Sequence, residues 1–314
     1  MKGLFKTAAC IAALLACVSG SAQAAGGYRG TLTLARDGAN DPFSPRVIVD
    51  LDLAADKLAV RSDGFDVHRT RSGETAYITR LTEGYIADYG IVAADARGVP
   101  GGPLYVCKRF SFSSNRICHS PKLSPDGRRV AFGTAAGGGK LCKNDYRIAW
   151  ADYVIVHDRK GAEVARFEGY YYPEWLPDGR LLMMGSACRG AGVWVADGSL
   201  RAPVRVDGNQ VATPARLPAA TPDGSRVALV WNNQLWTLTL DARRELTQIT
   251  HADKPVTSAA WSPDGKALAV LMADVSMPAK SLLLLRPGEP RSVEMRKLSF
   301  YPFGPMSWSA ERLK

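Results

Sequence analysis

Four aspartates recur in one register and could form a ring of carboxylates that binds cations. Asp126, Asp178, Asp223 and Asp264 each follow a proline and precede a glycine. Proline presets φ at the second position of a type I turn, and aspartate in the third position can accept hydrogen bonds from nearby backbone N–H groups. This local role accounts for all four carboxylates. We therefore expect them to stabilise turns rather than to bind a metal.

The potential nucleophiles and bases lack the spacing of known catalytic motifs. The sequence contains four histidines, at His68, His119, His157 and His251, and they form neither a His-x-x-x-His nor a His-Glu-x-x-His pair. It also lacks the Gly-x-Ser-x-Gly elbow of α/β-hydrolases. We therefore predict no catalytic residue, no metal ligand and no cofactor. The remaining alternative is a metal or catalytic site that is assembled from residues of several repeats.

Three successive tyrosines, Tyr170, Tyr171 and Tyr172, are candidates for a binding surface. Side chains alternate between the two faces of a strand, so three in a row cannot all point inward. We expect at least one of them at an edge or rim of the fold, beside Arg166 or Arg189. Exposed aromatic and arginine side chains suit the recognition of a protein or a glycan. The interpretation that we favour, however, is a packed corner.

A short phrase recurs along the chain and contains the four aspartates. Its clear copies are Ser124-Pro125-Asp126-Gly127, Leu176-Pro177-Asp178-Gly179, Thr221-Pro222-Asp223-Gly224 and Ser262-Pro263-Asp264-Gly265. Fainter copies are Arg71-Ser72-Gly73-Glu74 and Met306-Ser307-Trp308-Ser309. The intervals between the first five glycines are 54, 52, 45 and 41 residues. Self-similarity at such a period indicates a repeat architecture.

Each clear copy is followed by three strand-like runs. After the copy that begins at Ser262, the runs cover 268–271, 282–285 and 292–297. The first run is apolar at successive positions, which is typical of strands buried on both faces. Together with the segment before the next phrase, each unit has four short strands, which is the pattern of a β-propeller blade.

Six copies predict six blades in one domain that covers residues 25–314. The last blade has only its inner strand, because the sequence stops shortly after Trp308. Strand-like runs at 31–35, 47–53 and 57–61 can supply the other three. We therefore predict an all-β, six-bladed β-propeller with four antiparallel strands per blade. The N-terminal strands complete the C-terminal blade, which closes the ring and removes its open edges.

The phrase Trp261-Ser262-Pro263-Asp264-Gly265-Lys266 and the apolar strand after it resemble the repeat of TolB-like β-propellers. A similar repeat builds the propeller domains of prolyl oligopeptidase-type enzymes. The resemblance covers residues 65–309 and implies a propeller fold and a periplasmic, partner-binding role. The extra N-terminal domain of TolB has no counterpart in this sequence. Three tryptophans in or beside the phrase are expected to pack between blades: Trp175, Trp261 and Trp308.

The first 24 residues have the layout of a secretory signal peptide. Lys2 and Lys6 precede an apolar run of 11 residues, and Ala22-Gln23-Ala24 is a small-x-small cleavage site. The run is too short to span a bilayer. We expect the mature chain to begin near Ala25 and to be periplasmic or secreted. The alternative is an outer-membrane lipoprotein, because the residues that end at Cys17 resemble a lipobox.

Four cysteines follow the signal segment: Cys107, Cys118, Cys142 and Cys188. An even number in an exported chain favours disulfides over free thiols or a metal site. Three pairings are possible. Cys107 and Cys118 face each other if residues 110–115 contain a hairpin turn, because opposed residues on antiparallel strands lie close enough to be bridged. That pairing leaves Cys142 with Cys188.

The formal net charge is +10, or +8 without Lys2 and Lys6, and the basic residues are scattered along the chain. We expect no nucleic-acid partner, because the chain is predicted to be exported and has no nucleic-acid-binding motif. The positive charge is compatible with weak attraction to anionic components of the cell envelope.

Taken together, the sequence favours a monomeric, exported, non-enzymatic scaffold. We expect it to bind a protein partner of the cell envelope through its loops or the mouth of its channel, because rigid rings display many loops. One alternative is an enzyme with an axial site that acts on a cell-wall or anionic sugar substrate. Converging His, Asp and Arg side chains at the axis would favour it. The other alternative is an envelope lipoprotein anchored at Cys17.

Overall fold

The computed structural model shows an all-β chain. It describes residues 28–36, 46–82, 88–107, 116–137, 150–186, 189–273, 281–300 and 302–310. Within these ranges the chain forms strands and turns and contains no helix. Accordingly, these ranges offer no helical segment with the length and apolarity needed to cross a membrane. The proposed signal peptide (1–24), the lipobox cysteine and the predicted Cys142–Cys188 bridge lie outside the described residues.

The strands form six antiparallel sheets of four, which are the blades of a propeller. Blade 1 contains β1 (Thr31–Arg36), β2 (Val47–Asp52) and β3 (Lys57–Asp63). Blade 2 contains β4 (Phe65–Arg69), β5 (Thr75–Arg80), β6 (Tyr89–Ala94) and β7 (Pro100–Cys107). Blade 3 contains β8 (Arg116–Leu123), β9 (Arg129–Gly137), β10 (Trp150–Asp158) and β11 (Glu163–Glu168).

The second half of the ring repeats this order. Blade 4 contains β12 (Tyr170–Trp175), β13 (Leu181–Gly185), β14 (Gly192–Ala196) and β15 (Val204–Arg205). Blade 5 contains β16 (Arg216–Ala220), β17 (Arg226–Trp231), β18 (Gln234–Thr239) and β19 (Leu246–Gln248). Blade 6 contains β20 (Val256–Trp261), β21 (Leu268–Met272), β22 (Ser281–Arg286) and β23 (Glu289–Lys297). The last strand of the chain is β24 (Pro302–Ser309).

The ring is closed by the two ends of the described chain. β24 pairs with β1, so that blade 1 has the strand order β24-β1-β2-β3. The first strands of the other blades, with β24, contact one another around the axis. The predicted six-bladed, four-stranded propeller and its closure by N-terminal strands are confirmed.

In five blades the recurring phrase forms the turn between the first and second strands, whereas the sixth predicted copy, residues 306–309, is part of strand β24. In four copies the glycine N–H donates to the carbonyl of the first phrase residue, over 2.8 to 3.0 Å. These glycines have φ between +67° and +84°, a region that glycine adopts without steric cost. The copy in blade 2 begins one residue earlier than its faint sequence match, because Gly73 donates to Thr70.

Six separate apolar clusters fill the spaces between neighbouring blades in the described structure. Strands β13, β17 and β21, and residues 130–134 of β9, are almost entirely buried, because each of these segments contributes to the clusters on both sides of its sheet. Two tryptophans also join blades by hydrogen bonds. Trp175 Nε1 donates to the Lys122 carbonyl at 3.0 Å, and Trp261 Nε1 donates to the Ala219 carbonyl at 3.0 Å. The expected packing of these tryptophans between blades is present.

A disulfide joins Cys107 to Cys118, with 5.8 Å between their Cα atoms. The prediction that the two cysteines face each other across a hairpin is wrong. β7 is the outer strand of blade 2 and β8 is the inner strand of blade 3, so the two cysteines belong to different sheets. The bridge therefore links the rim of one blade to the axial strand of the next.

Candidate functional site

A local irregularity recurs in the strands that surround the axis. Five of the six inner strands contain a residue with φ between +47° and +61° at one equivalent place: Asp66, Ser120, Tyr172, Leu217 and Gly304. The pairing with the neighbouring strand shifts register there. Such bulges release backbone groups from the ladder, so a proline can follow without losing a ladder hydrogen bond. Proline does follow Ser120, Tyr172, Leu217 and Gly304.

A cavity lies at the level of these bulges. It has a volume of about 10 Å³, room for one water molecule, and is bounded by the inner strands of five blades. Its lining comprises Ser120, Lys122, Tyr172, Pro173, Leu217, Pro218, Ser258, Ala259, Pro305 and Met306. The wall is thus mostly apolar, with a few polar groups.

A buried ion pair crosses from blade 3 to blade 4 at the cavity wall. Lys122 Nζ lies 2.7 Å from Glu174 Oε2, and both side chains are nearly inaccessible to solvent. The N–H of Ala220 in blade 5 approaches the other oxygen of Glu174 at 3.5 Å. Removing one member of such a pair leaves an uncompensated buried charge, which is strongly unfavourable.

Two buried serine hydroxyls lie on opposite sides of the cavity, Ser120 in blade 3 and Ser258 in blade 6. Ser120 is 2 % exposed and Ser258 is 1 % exposed. No described residue forms a hydrogen bond with either hydroxyl oxygen. Buried polar groups are normally paired, so these hydroxyls are candidates to bind a water molecule or another small polar group.

Asp66 and His68 belong to blade 2, which does not line the cavity, and contact the inner strand of blade 3. Asp66 Oδ2 accepts the N–H of Ser120 at 2.9 Å. Burial raises the pKa of Asp66, while that N–H and the charges of Arg46 and Lys122 oppose the rise. Burial and the charge of Lys122 lower the pKa of His68 well below its usual value.

The His68 ring is engaged with the backbone of blade 3. Its Nδ1 accepts the N–H of Leu123 at 3.2 Å. A neutral imidazole that accepts at one nitrogen carries its proton on the other. His68 is therefore a neutral structural link between blades 2 and 3.

Tyr172 and His119 form another part of the wall. Their rings meet edge to face with 4.9 Å between centroids. The His119 ring covers Gly133 so closely that a Cβ atom at that glycine would lie 2.0 Å from the ring. Burial lowers the pKa of His119 to about 4, so this imidazole is neutral at neutral pH.

The three tyrosines of the proposed binding surface differ in environment. Tyr170 is buried, and its hydroxyl accepts a hydrogen bond from Arg189 Nε at 2.8 Å. Tyr171 and Tyr172 are half-buried and stack edge to face, and Tyr172 lines the cavity. None of the three is fully exposed, which agrees with the packed corner that we favoured, while Tyr171 and Tyr172 keep part of their surface accessible. The left-handed φ of Tyr172 interrupts the regular alternation of side chains along the strand. That these tyrosines bind a partner stays a prediction.

The four recurring aspartates lie in the turns at the far end of the strands and not at the cavity. Asp126, Asp223 and Asp264 each accept the hydroxyl of the first phrase residue at 2.5 to 2.6 Å. Asp178 instead accepts Arg180 Nε at 2.7 Å. Among the described residues, no three His, Cys, Asp or Glu side chains are grouped as a metal site.

Sequence reasoning missed the polar residues of the cavity, although they occupy fixed places before the phrase. Lys122 and Glu174 stand two residues before its first position, and Ser120 and Ser258 stand four residues before it. Aligning the copies on the phrase would have placed these residues on one level of the ring. The aspartates drew attention instead because they are identical, whereas the cavity residues differ from blade to blade.

Comparison with known proteins supports the fold. No family model matches this chain, and no curated protein matches it. Among solved structures, TolB from Acinetobacter baumannii superposes with a TM-score of 0.65 at 13% identity, over 89% of this chain and 66% of that chain. Hydrazine synthase from Kuenenia stuttgartiensis gives a TM-score of 0.57 at 15% identity, over 88% and 47%.

An enzyme of a different kind is also similar in structure. An oligogalacturonate lyase, solved in complex with manganese, gives a TM-score of 0.52 at 13% identity, over 84% of this chain and 73% of that chain. This chain spans just under two thirds of the TolB chain and less than half of the hydrazine synthase chain. At such identities the likeness concerns the fold alone. The chain is thus a six-bladed propeller with TolB among its structural neighbours.

Proposed function

We propose that this chain is an exported, non-enzymatic propeller that binds a segment of a partner protein at the axial cavity, where the central channel opens to solvent. The observation that carries the proposal is that the inner strands of five blades meet at this cavity, with the hydroxyls of Ser120 and Ser258 unpaired. The low-identity likeness to TolB is compatible with a scaffold role.

Site-specific photo-crosslinking in the native host tests this function. A photoreactive phenylalanine analogue at Leu217, which lines the cavity, should yield a covalent adduct with one partner protein. The matched control carries the analogue at Lys266, an exposed residue in a phrase turn at the far end of the strands. Equal adducts from both positions, or none from Leu217, would refute binding at the cavity.

Export is part of the proposal and has its own test. Intact-mass measurement of the mature protein should give a chain that begins at Ala25, the residue after the small-x-small site. A chain that begins at an acylated Cys17 would instead support the lipoprotein alternative.

A second candidate function is an enzyme with an axial site. The observation in its favour is that Asp66, His68 and Lys122 converge near the axis, and one structural neighbour is a lyase. Against it, the His68 ring accepts a backbone N–H and Lys122 is paired with Glu174. Incubation with oligogalacturonate should give no unsaturated product. A product that disappears in Lys122→Met would establish the enzyme.

A further inference from the structure

The hairpin between β17 and β18 in blade 5 ends in a tight turn that presents two amide side chains. Trp231 pairs with Gln234, so the turn consists of Asn232 and Asn233 alone. Their φ angles are +51° and +62°, as a type I′ hairpin turn requires. Both side chains are exposed, and neither amide nitrogen forms a hydrogen bond with a described residue. The turn therefore holds unused hydrogen-bond donors in a defined place.

Two tryptophans lie beside this turn. The ring centroids of Trp231 and Trp236 are 5.0 Å apart, and both side chains are half-buried. Trp231 Nε1 donates to the Thr213 hydroxyl at 2.7 Å, and that hydroxyl donates to Asn232 at 3.4 Å. Trp236 Nε1 donates to the Trp231 carbonyl at 3.1 Å. Because both indole N–H groups are engaged, the accessible part of these rings can offer a ligand only its apolar surface.

An arginine reaches the same turn. Arg216 is exposed and donates to Asn233 Oδ1 at 3.2 Å. It forms no ion pair with a described residue, whereas Arg243 at the opposite end of the blade pairs with Asp241 at 2.7 Å. The planar guanidinium matches the geometry of a carboxylate. The turn thus combines an excess of donors with a positive charge that no described carboxylate balances.

From this arrangement we propose that the tip of the β17–β18 hairpin binds an acidic glycan, an oligosaccharide whose sugars carry carboxylates. The C–H face of one sugar ring packs on the accessible indole surface, and its oxygens accept the amide N–H groups of Asn232 and Asn233. A carboxylate accepts a charge-assisted hydrogen bond from Arg216. A proline-rich peptide also docks on aromatic side chains, but it lacks the oxygens and the charge that this donor excess matches. None of these residues lines the axial cavity, so the site is separate from the proposed function.

Calorimetric titration of the mature protein with a hexamer of galacturonic acid tests the proposal. The matched ligand is the fully methyl-esterified hexamer, which has the same rings without the charge. We expect the acidic hexamer to bind about tenfold more tightly than the ester, and its affinity to fall as salt is added. Equal affinities for the two ligands, or no binding of the acidic hexamer, would overturn the proposal. Binding of a proline decamer in place of either hexamer would assign the surface to a peptide instead.

Variants assign the binding to the hairpin tip. Trp231→Ala should weaken the acidic hexamer about tenfold, and Trp231→Phe, which keeps an aromatic ring, should weaken it less. Arg216→Gln changes only an exposed side chain and should reduce the affinity for the acidic hexamer to that for the ester. Arg243→Gln is the matched control at the opposite end of the blade and should leave both affinities unchanged.

A melting curve verifies that each variant is folded, and Arg216→Gln keeps the test decisive where Trp231→Ala is not. Native affinity for the acidic hexamer in Arg216→Gln, or an equal loss in Arg243→Gln, would contradict a site at this turn.

Discussion

At the scale of single residues, the phrase aspartates act within their own turns. Asp223 accepts the Thr221 hydroxyl at 2.6 Å and the Ser225 N–H at 3.0 Å. These hydrogen bonds, with that of the Ser225 hydroxyl, lower the pKa of Asp223 to about 2. Because this carboxylate already accepts several hydrogen bonds within its own turn, we do not expect it to bind a cation.

The stability of the Asp223 turn should depend on pH. Because the pKa of Asp223 is lower in the folded than in the unfolded chain, its ionised form stabilises the fold above pH 4 or so, and this stabilisation is lost as the pH falls towards 2. Asp223→Asn should lower the free energy of unfolding by about 1 kcal/mol at pH 7. The difference from the native protein should shrink on acidification, as measured by urea unfolding at each pH.

Thr221→Val tests the cause of that dependence. It keeps the carboxylate but removes its hydroxyl donor, so part of the pH-dependent difference should disappear. A difference between Asp223→Asn and the native protein that stays constant from pH 7 to pH 2 would contradict the assignment.

At the scale of elements, the close pairing of β8 with β9 depends on a glycine beneath a histidine. His119 and Gly133 are directly opposed in the two strands, and the imidazole occupies the place of the missing side chain. This contact holds the ring against Tyr172 at the cavity wall.

Gly133→Ala should destabilise the fold because its methyl group would overlap the His119 ring. We expect a loss of about 1–3 kcal/mol in the free energy of unfolding, the usual range for an overpacked site. In a His119→Ala background the same substitution should cost much less, which a double-mutant cycle in urea measures. Equal costs in both backgrounds would show that the ring is not the obstacle.

The disulfide is a covalent link between the outer strand of blade 2 and the inner strand of blade 3. Its cysteines are separated by 11 residues in the sequence, so it closes a short loop in the unfolded chain. Replacing Cys107 and Cys118 together by alanine should lower the free energy of unfolding by about 2–3 kcal/mol. The native protein unfolded in the presence of a reductant should lose a similar amount. Unchanged stability after either treatment would contradict a role in joining the blades.

At the scale of the whole molecule, stability depends on the closure of the ring. β24 pairs with β1, and Trp308 Nε1 donates to the Arg29 carbonyl at 2.9 Å. Trp308 also belongs to the apolar cluster between blades 6 and 1. Closure therefore couples the first and last described strands.

Trp308→Ala should lower the free energy of unfolding much more than a comparable substitution within a blade. We expect a loss of about 3–5 kcal/mol in the free energy of unfolding, together with a broader urea transition as the ring opens. Trp236→Ala is the control, because Trp236 is half-buried and donates to Trp231 within blade 5. Similar losses and transition widths for the two variants would contradict the importance of closure.

Much of the fold could be predicted because it depends on local patterns. A proline-aspartate-glycine turn and the apolar strand after it are set by backbone preferences and side-chain periodicity. Repetition of that unit then determined the number of blades and the origin of the closing strands. Prediction was weaker for short outer strands. Of the predicted runs at 203–207 and 245–250, only two residues (β15) and three residues (β19) form strands. Asp207 lies outside β15, and its carboxylate accepts hydrogen bonds from the Arg205 side chain and the Val211 N–H.

The candidate site was decided by the tertiary structure. Lys122 and Glu174 lie in neighbouring blades and form a contact pair. Ser120 and Ser258 lie in opposite blades and line one cavity only because a closed ring brings its inner strands to one axis. The sequence also did not show that the Cys107–Cys118 bridge connects two blades, because a separation of 11 residues fits a hairpin equally well. Local periodicity specifies each blade, whereas the Lys122–Glu174 pair and the unpaired hydroxyls of the cavity arise from the way dissimilar inner strands face one another.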